Sequence, residues 1–207
     1  MTEDWIQRWR EGRIGFHQPE GHPALARHWR AEGSRVLVPL CGKSVDLWWL
    51  AERGHQVVGV ELAEQAVCAF FAERGVEPSR CGGSPPVFRI ERPPIDLHCG
   101  DYFDLDVPLC DALYDRAALV ALPPDLRPRY AAHTDKLLRP GADRLLITLE
   151  YEQATVAGPP YSVPADEVLG YWPELERIAE HEAIDDAPPK FRANGLTSLT
   201  EVVWRSP

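Results

Sequence analysis

The chain has 207 residues, 44% of them hydrophobic and 26% charged, with a formal net charge of −10. That length holds one full core and argues against two, so residues 1–207 are read as a single domain. The acidic balance and the lack of a basic stripe exclude nucleic acid as an expected partner. No apolar run approaches the ~20 residues of a membrane-spanning helix. The charged start, "MTEDWIQRWREGR", lacks the apolar core of a secretory signal. Cysteines 41, 68, 81, 99 and 110 are odd in number, widely spaced and without a C-x-x-C. Neither a disulfide framework nor a metal site is expected, and a reducing cytoplasm fits best.

In chain order, residues 3–11 read as an amphipathic helix, with Trp5, Ile6 and Trp9 at helical spacing. Residues 12–20 are a loop and 22–32 a second helix. "RVLVPL" (35–40) is a short apolar strand of the kind buried on both faces of a parallel sheet. Ser44 can cap a helix over 45–53, with Asp46 in its first turn and Gly54 past its end. "QVVGVEL" (56–62) is the second strand, and 63–74 a helix closed by Gly75. Residues 76–94 carry five prolines and two adjacent glycines and read as a loop excursion with a small hairpin near "VFRIE". Strands follow at 95–101 and 110–116, a helix at 125–138 ended by Pro140-Gly141, and a strand at 143–151. A proline-glycine loop (152–164), a short helix (165–171) and two alternating segments (about 174–186 and 196–205) complete the chain. The last two read as an antiparallel hairpin. Alternating strands and helices predict an α/β fold, a Rossmann-like open, mostly parallel sheet with helices on both faces. Such sheets bind ligands over the carboxyl ends of their strands.

Three ligands compete for the turn after the first strand, "PLCGKS" (39–44). A nucleotide-phosphate loop needs G-x-x-x-x-G-K-S/T, and counting back from Gly42 gives Leu37, inside the strand. A dinucleotide turn needs G-x-G-x-x-G, and positions 40, 42 and 45 are Leu40, Gly42 and Val45. The acidic residue that such sites carry about 20 positions on is present as Glu61. One glycine plus an acid fits a nucleoside without phosphates, with Glu61 accepting hydrogen bonds from a ribose diol. S-adenosylmethionine meets that description. The plainer alternative is a glycine that eases a tight turn and a solvated strand end. The pair at this spacing favours the ligand.

These residues resemble the thiopurine S-methyltransferase family. "VLVPLCGKSVDLWWLAERGHQVVGVELAEQAV" (36–67) looks like its core segment. "WIQRWREGRIGFHQPEGHPAL" (5–25) matches W-x-x-x-W followed by G-x-x-x-F-H-Q. "YDRAALVALPPDLRPRY" (114–130) matches D-R-x-A-L, and "GPPYSVP" (158–164) matches G-P-P-F/Y-x-V-P. The resemblance implies a class I methyltransferase using S-adenosylmethionine, with cofactor contacts at Trp5, Trp9, Leu40, Gly42, Glu61, Asp101, Tyr102 and Arg116. It implies an acceptor-end aromatic at Phe16 and a monomer. Arg116, at a strand end in the matched motif, is read as steering an anionic acceptor, and the rigid turn carrying Pro160 and Tyr161 as a wall of the acceptor pocket. No resident metal is expected. Residues 1–32 are then a helical lid and cap, and 33–207 the core. Asp101 stands where some members have serine. A related branch that methylates halides and simple thiols carries a glycine-richer turn than "PLCGKS".

Methyl transfer to an ionised thiol or selenol needs alignment more than a base, so no general base is assigned. A dry site favours it, because charge is annihilated as thiolate meets sulfonium. Trp5, Trp9 and Phe16 suit a lid that excludes water and offers π faces to the sulfonium, although core packing explains the tryptophans as readily. His17 is expected to orient its loop, His133 to be structural and Cys41 to be a small packed residue. The expected activity is methyl transfer to a small thiol, thiopurines among them, or to a selenium or tellurium acceptor. A halide or simple-thiol methyltransferase of the related branch, a nicotinamide-dependent oxidoreductase and a non-catalytic binding protein are the alternatives.

Overall fold

A computed structural model describes residues 2–15 and 17–207. Phe16, expected at the acceptor site, lies outside the described residues. The helices are α1 (Thr2–Arg10), α2 (Pro23–His28), α3 (Asp46–Glu52), α4 (Glu64–Ala72), α5 (Arg127–Leu137), α6 (Ala165–Tyr171) and α7 (Lys190–Ala193). The strands are β1 (Arg35–Val38), β2 (Gln56–Glu61), β3 (Ser79–Cys81), β4 (Val87–Glu91), β5 (Pro94–Cys99), β6 (Cys110–Arg116), β7 (Leu138–Glu150), β8 (Glu176–Glu182) and β9 (Thr200–Arg205). They form one sheet in the order β3-β4-β5-β2-β1-β6-β7-β9-β8.

The five central strands, β5 to β7, are parallel. Antiparallel strands flank them on both sides. β1 pairs with β2 on one side and β6 on the other, so the chain reverses its direction of travel across the sheet there, and a crevice opens at the strand ends. Alternation along β1 sorts the core into two faces. Leu37 points into a cluster with Leu113, Leu146, Tyr130 and Trp204. Val36 and Val38 point into one with Leu47, Trp48, Phe70 and Phe71.

The sequence reading needs four corrections. Residues 76–94 hold more strand than expected: the expected hairpin near "VFRIE" is present as β4 and β5, and β3 adds a further antiparallel strand on its flank. There Arg89 stands opposite Asp96 and pairs with it. Pro140-Gly141 does not precede the last long strand but interrupts it. β7 begins at Leu138, and its register with β6 shifts between Cys110 and Ala112, with Gly141 at φ 76°; that is bulge geometry. Helix α2 is shorter than 22–32 and begins with His22 Nδ1 accepting the Ala24 N–H at 3.2 Å. Finally, β1 ends at Val38, because Leu40 turns into the left-handed region at φ 48°. The expected C-terminal hairpin is present as β8 and β9. The one-turn α7 in the loop before β9 had no periodic signal. Among the described residues no helix is long and apolar enough to cross a membrane.

Candidate active site

A cavity of about 350 Å³ sits over the carboxyl ends of β1, β2, β5 and β6, within the range of small-ligand sites. Its floor is the turn after β1. Gly42 takes φ 55°, a conformation that costs glycine nothing. Its N–H donates to Glu61 Oε2 at 2.9 Å, while Glu61 Oε1 accepts the Ala63 N–H at 2.7 Å. The Cys41 N–H reaches Val60 O at 2.9 Å, and the Gly100 N–H reaches Glu61 O at the same distance. Glu61 is thus the knot joining three strand ends. It is 6% exposed. Burial pushes its carboxyl up, and the N–H groups of Ala63, Gly42 and Leu62 pull it back. Each of its oxygens retains a second acceptor direction.

One wall follows β5. Asp101 Oδ1 accepts the Phe103 N–H at 2.9 Å and caps a 3-10 turn, Tyr102–Asp104. Asp101, Tyr102 and Phe103 all border the cavity. The Arg129 guanidinium lies 3.9 Å from the Phe103 ring centroid. The opposite wall follows β6. Ala117 takes φ 71° and leads into a second 3-10 turn, Leu119–Ala121, capped by Asp115, whose Oδ1 accepts from Ala118 N (3.1 Å) and Leu119 N (3.2 Å). Leu40 and Ala117, the only described non-glycine residues at positive φ, both line the cavity. Strain of this kind costs about 1–3 kcal/mol per residue and gathers at functional sites.

Pro159 and Pro160 form a third side. Tyr161 does not line the cavity. Its ring packs on Gly158, where an added Cβ would fall 2.2 Å from Tyr161 Cδ1, and its N–H ties the loop to Val120 O at 2.7 Å. From outside, Lys190 Nζ donates to Pro159 O (2.6 Å) and Ala157 O (3.0 Å), and the Tyr151 hydroxyl to Pro160 O (2.7 Å). The roof is α1. Trp5 and Trp9 border the cavity, and Trp9, 5% exposed, packs against Ala63 and Ala66 at the start of α4. Trp9 is therefore both a packed residue and a wall, so the choice between packing and lid dissolves for it.

The fold thus gathers Trp5, Trp9, Leu40, Gly42, Glu61, Asp101, Tyr102 and Pro160 around one cavity. Arg116 and Tyr161 are not among its lining residues. The Arg116 side chain, half-buried at the end of β6, makes no hydrogen bond or ion pair among the described residues. It lies near His17, whose imidazole is held below its ordinary value by burial, then by Lys43 and Arg116. Cys41 is buried, and burial together with Glu61 raises its thiol. His133 lies edge-on to Tyr102 with ring centroids 5.0 Å apart, in a structural setting. Sequence reading missed Phe103, Arg129 and the wall from Ala117 to Leu126. Phe103 was within reach, beside Asp101-Tyr102. Arg129 sat unmarked on an exposed helix face.

The strand order β5-β2-β1-β6-β7-β9-β8, with an acid ending β2 beneath an apolar cavity, defines a class I, Rossmann-like methyltransferase. Solved structures agree on the fold. The chain is similar to 1,6-didemethyltoxoflavin-N1-methyltransferase of Burkholderia thailandensis, solved with 1,6-didemethyltoxoflavin and S-adenosylhomocysteine, at TM-score 0.62 and 20% identity, covering 99% of this chain and 86% of that one. It is also similar to a structure described under conversion of a disulfide bond into a thioacetal group during echinomycin biosynthesis, at TM-score 0.64 and 18% identity, covering 100% of this chain and 93% of that one. The family model for thiopurine S-methyltransferase matches residues 1–206. Relatives named thiopurine S-methyltransferase include one from Xanthomonas campestris pv. campestris, 47% identical over 213 residues, covering 99% of this chain and 97% of the relative. Another, from Pseudomonas fluorescens, is 46% identical over 212 residues, covering 97% and 96%. The chain belongs to the thiopurine S-methyltransferase family and is an S-adenosylmethionine-dependent S-methyltransferase. That membership sets aside the nicotinamide oxidoreductase.

Proposed function

We propose that the cavity over β1, β2, β5 and β6 is the S-adenosylmethionine site, and that its α1-covered end admits a small soft nucleophile. That nucleophile is a thiol, thiopurines among them, or a related selenium or tellurium species. The observation that carries this reading is the buried Glu61 carboxylate, locked to the Gly42 and Ala63 N–H groups at the cavity floor with acceptor directions to spare. Those directions suit a ribose diol. The single-glycine turn suits a ligand with no phosphate to cradle. Leu40, Tyr102, Phe103 and Leu122 supply apolar surface for the adenosine, and Asp101 is a polar contact at its edge. When bound, the cofactor supplies an electrophilic methyl group.

The chain's own residues then align and dry the site. Trp5 and Trp9 close it from above. Pro160, supported by Tyr161, shapes the acceptor side, and Arg116 steers an anionic acceptor toward it. The acceptor arrives already ionised. The rate should therefore follow the thiolate fraction of each acceptor and not a fixed enzyme group: across thiols of different acidity, the rising limb of kcat/KM against pH should move with the acceptor's own pKa. A limb that stays fixed while the acceptor changes would place a general base in the enzyme. Calorimetry with S-adenosylhomocysteine tests the cofactor site directly. Binding in the micromolar range is expected, and no heat at hundreds of micromolar would sink the reading.

Lys190 gives a test of the acceptor wall. Lys190→Met keeps the stem and removes both bonds to the 157–159 carbonyls. KM for the acceptor should rise about 3- to 10-fold, with S-adenosylhomocysteine affinity changed less than twofold; the reverse pattern would place that wall on the cofactor side. The protein is proposed to work as a cytoplasmic monomer, which sedimentation of the purified enzyme would check.

A further inference from the structure

A buried chain of polar groups joins the two main walls of the cavity, and methyl transfer has no step for it. It begins at Tyr102, on the wall after β5. The Tyr102 and Thr134 hydroxyls are 2.8 Å apart, and Thr134 Oγ1 is also 2.8 Å from Tyr130 O. Thr134 has one proton, and its own carbonyl neighbour is the only partner that must receive it. Tyr102 is therefore the donor to Thr134. One residue-turn along the same helix, the Tyr130 hydroxyl donates to Asp115 Oδ2 at 2.7 Å. Asp115 in turn holds the Ala118 and Leu119 N–H groups on the opposite wall. The Tyr102 and Tyr130 rings close the gap, with centroids 5.3 Å apart.

We propose that Tyr130 and Thr134 are positioning residues for the cofactor: through Tyr102 on one side and Asp115 on the other, they set the spacing between the 100–103 and 117–122 walls. The inference rests on the reading that this cavity holds S-adenosylmethionine.

Three observations favour this role over plain core packing. Every proton in the chain has an acceptor, and every link is buried: Tyr130 and Thr134 are fully so and Asp115 is 1% exposed. A satisfied buried network fixes geometry in a way that an apolar cluster of equal volume does not. The chain ends on the turn that follows strained Ala117, where the backbone must be held from outside. The arrangement also opposes stability: burial lifts the Asp115 carboxyl to about 6 against the pull of Tyr130 and two N–H groups. Apolar residues of similar volume commonly replace buried charges at no loss.

The test uses Tyr130→Phe and Thr134→Val, each deleting one hydroxyl at nearly constant volume, with Thr134→Ser as the conservative rescue. S-adenosylhomocysteine affinity is measured by calorimetry at least 20 °C below each variant's melting point, and acceptor KM at saturating cofactor. The expected result is about tenfold weaker binding for Tyr130→Phe and for Thr134→Val. Their combination should bind more weakly than either alone, because each removes a different hydrogen bond, Tyr130 to Asp115 and Tyr102 to Thr134. Thr134→Ser should bind within twofold of the parent, and acceptor KM should stay within twofold throughout. Unchanged affinity in both deletions, with only a lowered melting point, would overturn the proposal. So would equal losses in cofactor affinity and acceptor KM that serine fails to rescue. Glu61→Ala run alongside separates the two readings. If it weakens binding while the deletions do not, the cavity assignment stands and the positioning role falls. If none of the three weakens binding, both fall.

Discussion

Replacing Glu61 with alanine should weaken S-adenosylhomocysteine binding at least 100-fold, read by calorimetry at neutral pH. Two losses combine. The ligand loses two charge-assisted hydrogen bonds from its ribose, each worth about 1.5–3 kcal/mol. The protein loses the group that holds the Gly42 and Ala63 N–H donors at 2.9 and 2.7 Å, and an unpaired buried donor costs about 1–3 kcal/mol. Water entering the vacated space recovers part of the second loss, so the sum is not the full arithmetic total. A 100-fold loss corresponds to ~2.7 kcal/mol and lies at the low end. Glu61→Gln divides the two effects. Its amide presents one oxygen and one NH₂, so one backbone N–H faces a donor while the other keeps its acceptor. An intermediate loss of about tenfold is expected. If alanine leaves affinity within threefold of the parent, Glu61 binds no ribose and its role is confined to the turn.

The largest effect on stability should come from Arg127→Ala. Arg127 is 1% exposed and spends its guanidinium on three partners. Nε donates to Leu122 O at 2.9 Å, Nη1 to Glu167 Oε2 at 2.8 Å and Nη2 to Ser162 O at 3.0 Å. The group fastens the cavity wall at 122, the loop at 162 and helix α6 to one another. Removing one member of a buried ion pair costs about 3–5 kcal/mol, and the stem leaves a cavity as well. At about 2–4 °C per kcal/mol for a chain of this size, the melting point should fall by on the order of 10 °C in a calorimetric scan. Glu167 keeps partial exposure and can be rehydrated, which holds the loss to that range. Arg127→Lys retains the charge but not the three-way fork and should recover less than half of it. A fall below 3 °C in the alanine variant would mean that the three partners find other donors.

The sequence disclosed what spacing along one segment encodes. Gly42 and Glu61 lie on consecutive strand ends, so their separation in sequence maps directly onto neighbouring positions in space. The alternation of β1 and β2 with α3 and α4 was readable for the same reason. Contacts that depend on folding distant segments together left no such trace. Asp115, Tyr130 and Thr134 meet Tyr102 only because α5 packs back across the sheet. Arg127 looked like one more solvated arginine in an arginine-rich chain, and its burial is set by α6, some 40 residues on. Within residues 76–94 the hairpin at "VFRIE" was legible but β3 was not: proline and glycine mark turns, and a three-residue strand between them is too short to show a period of two.

The order of strands has a consequence for how the protein is made. β1 lies at the middle of the sheet but near the start of the chain, and one of its neighbours, β6, is more than 70 residues away. The cavity draws on segments from Trp5 to Pro160, and β9, which pairs with β7, ends at Arg205. At about 5–20 residues per second, a ribosome presents β1 several seconds before its partner emerges. The nascent N-terminal half therefore carries Glu61 and the Gly42 turn without the walls that make them a site. On the proposed reading of this cavity, S-adenosylmethionine meets its complete lining only after Pro160 has emerged, and binding then draws the native population forward by mass action.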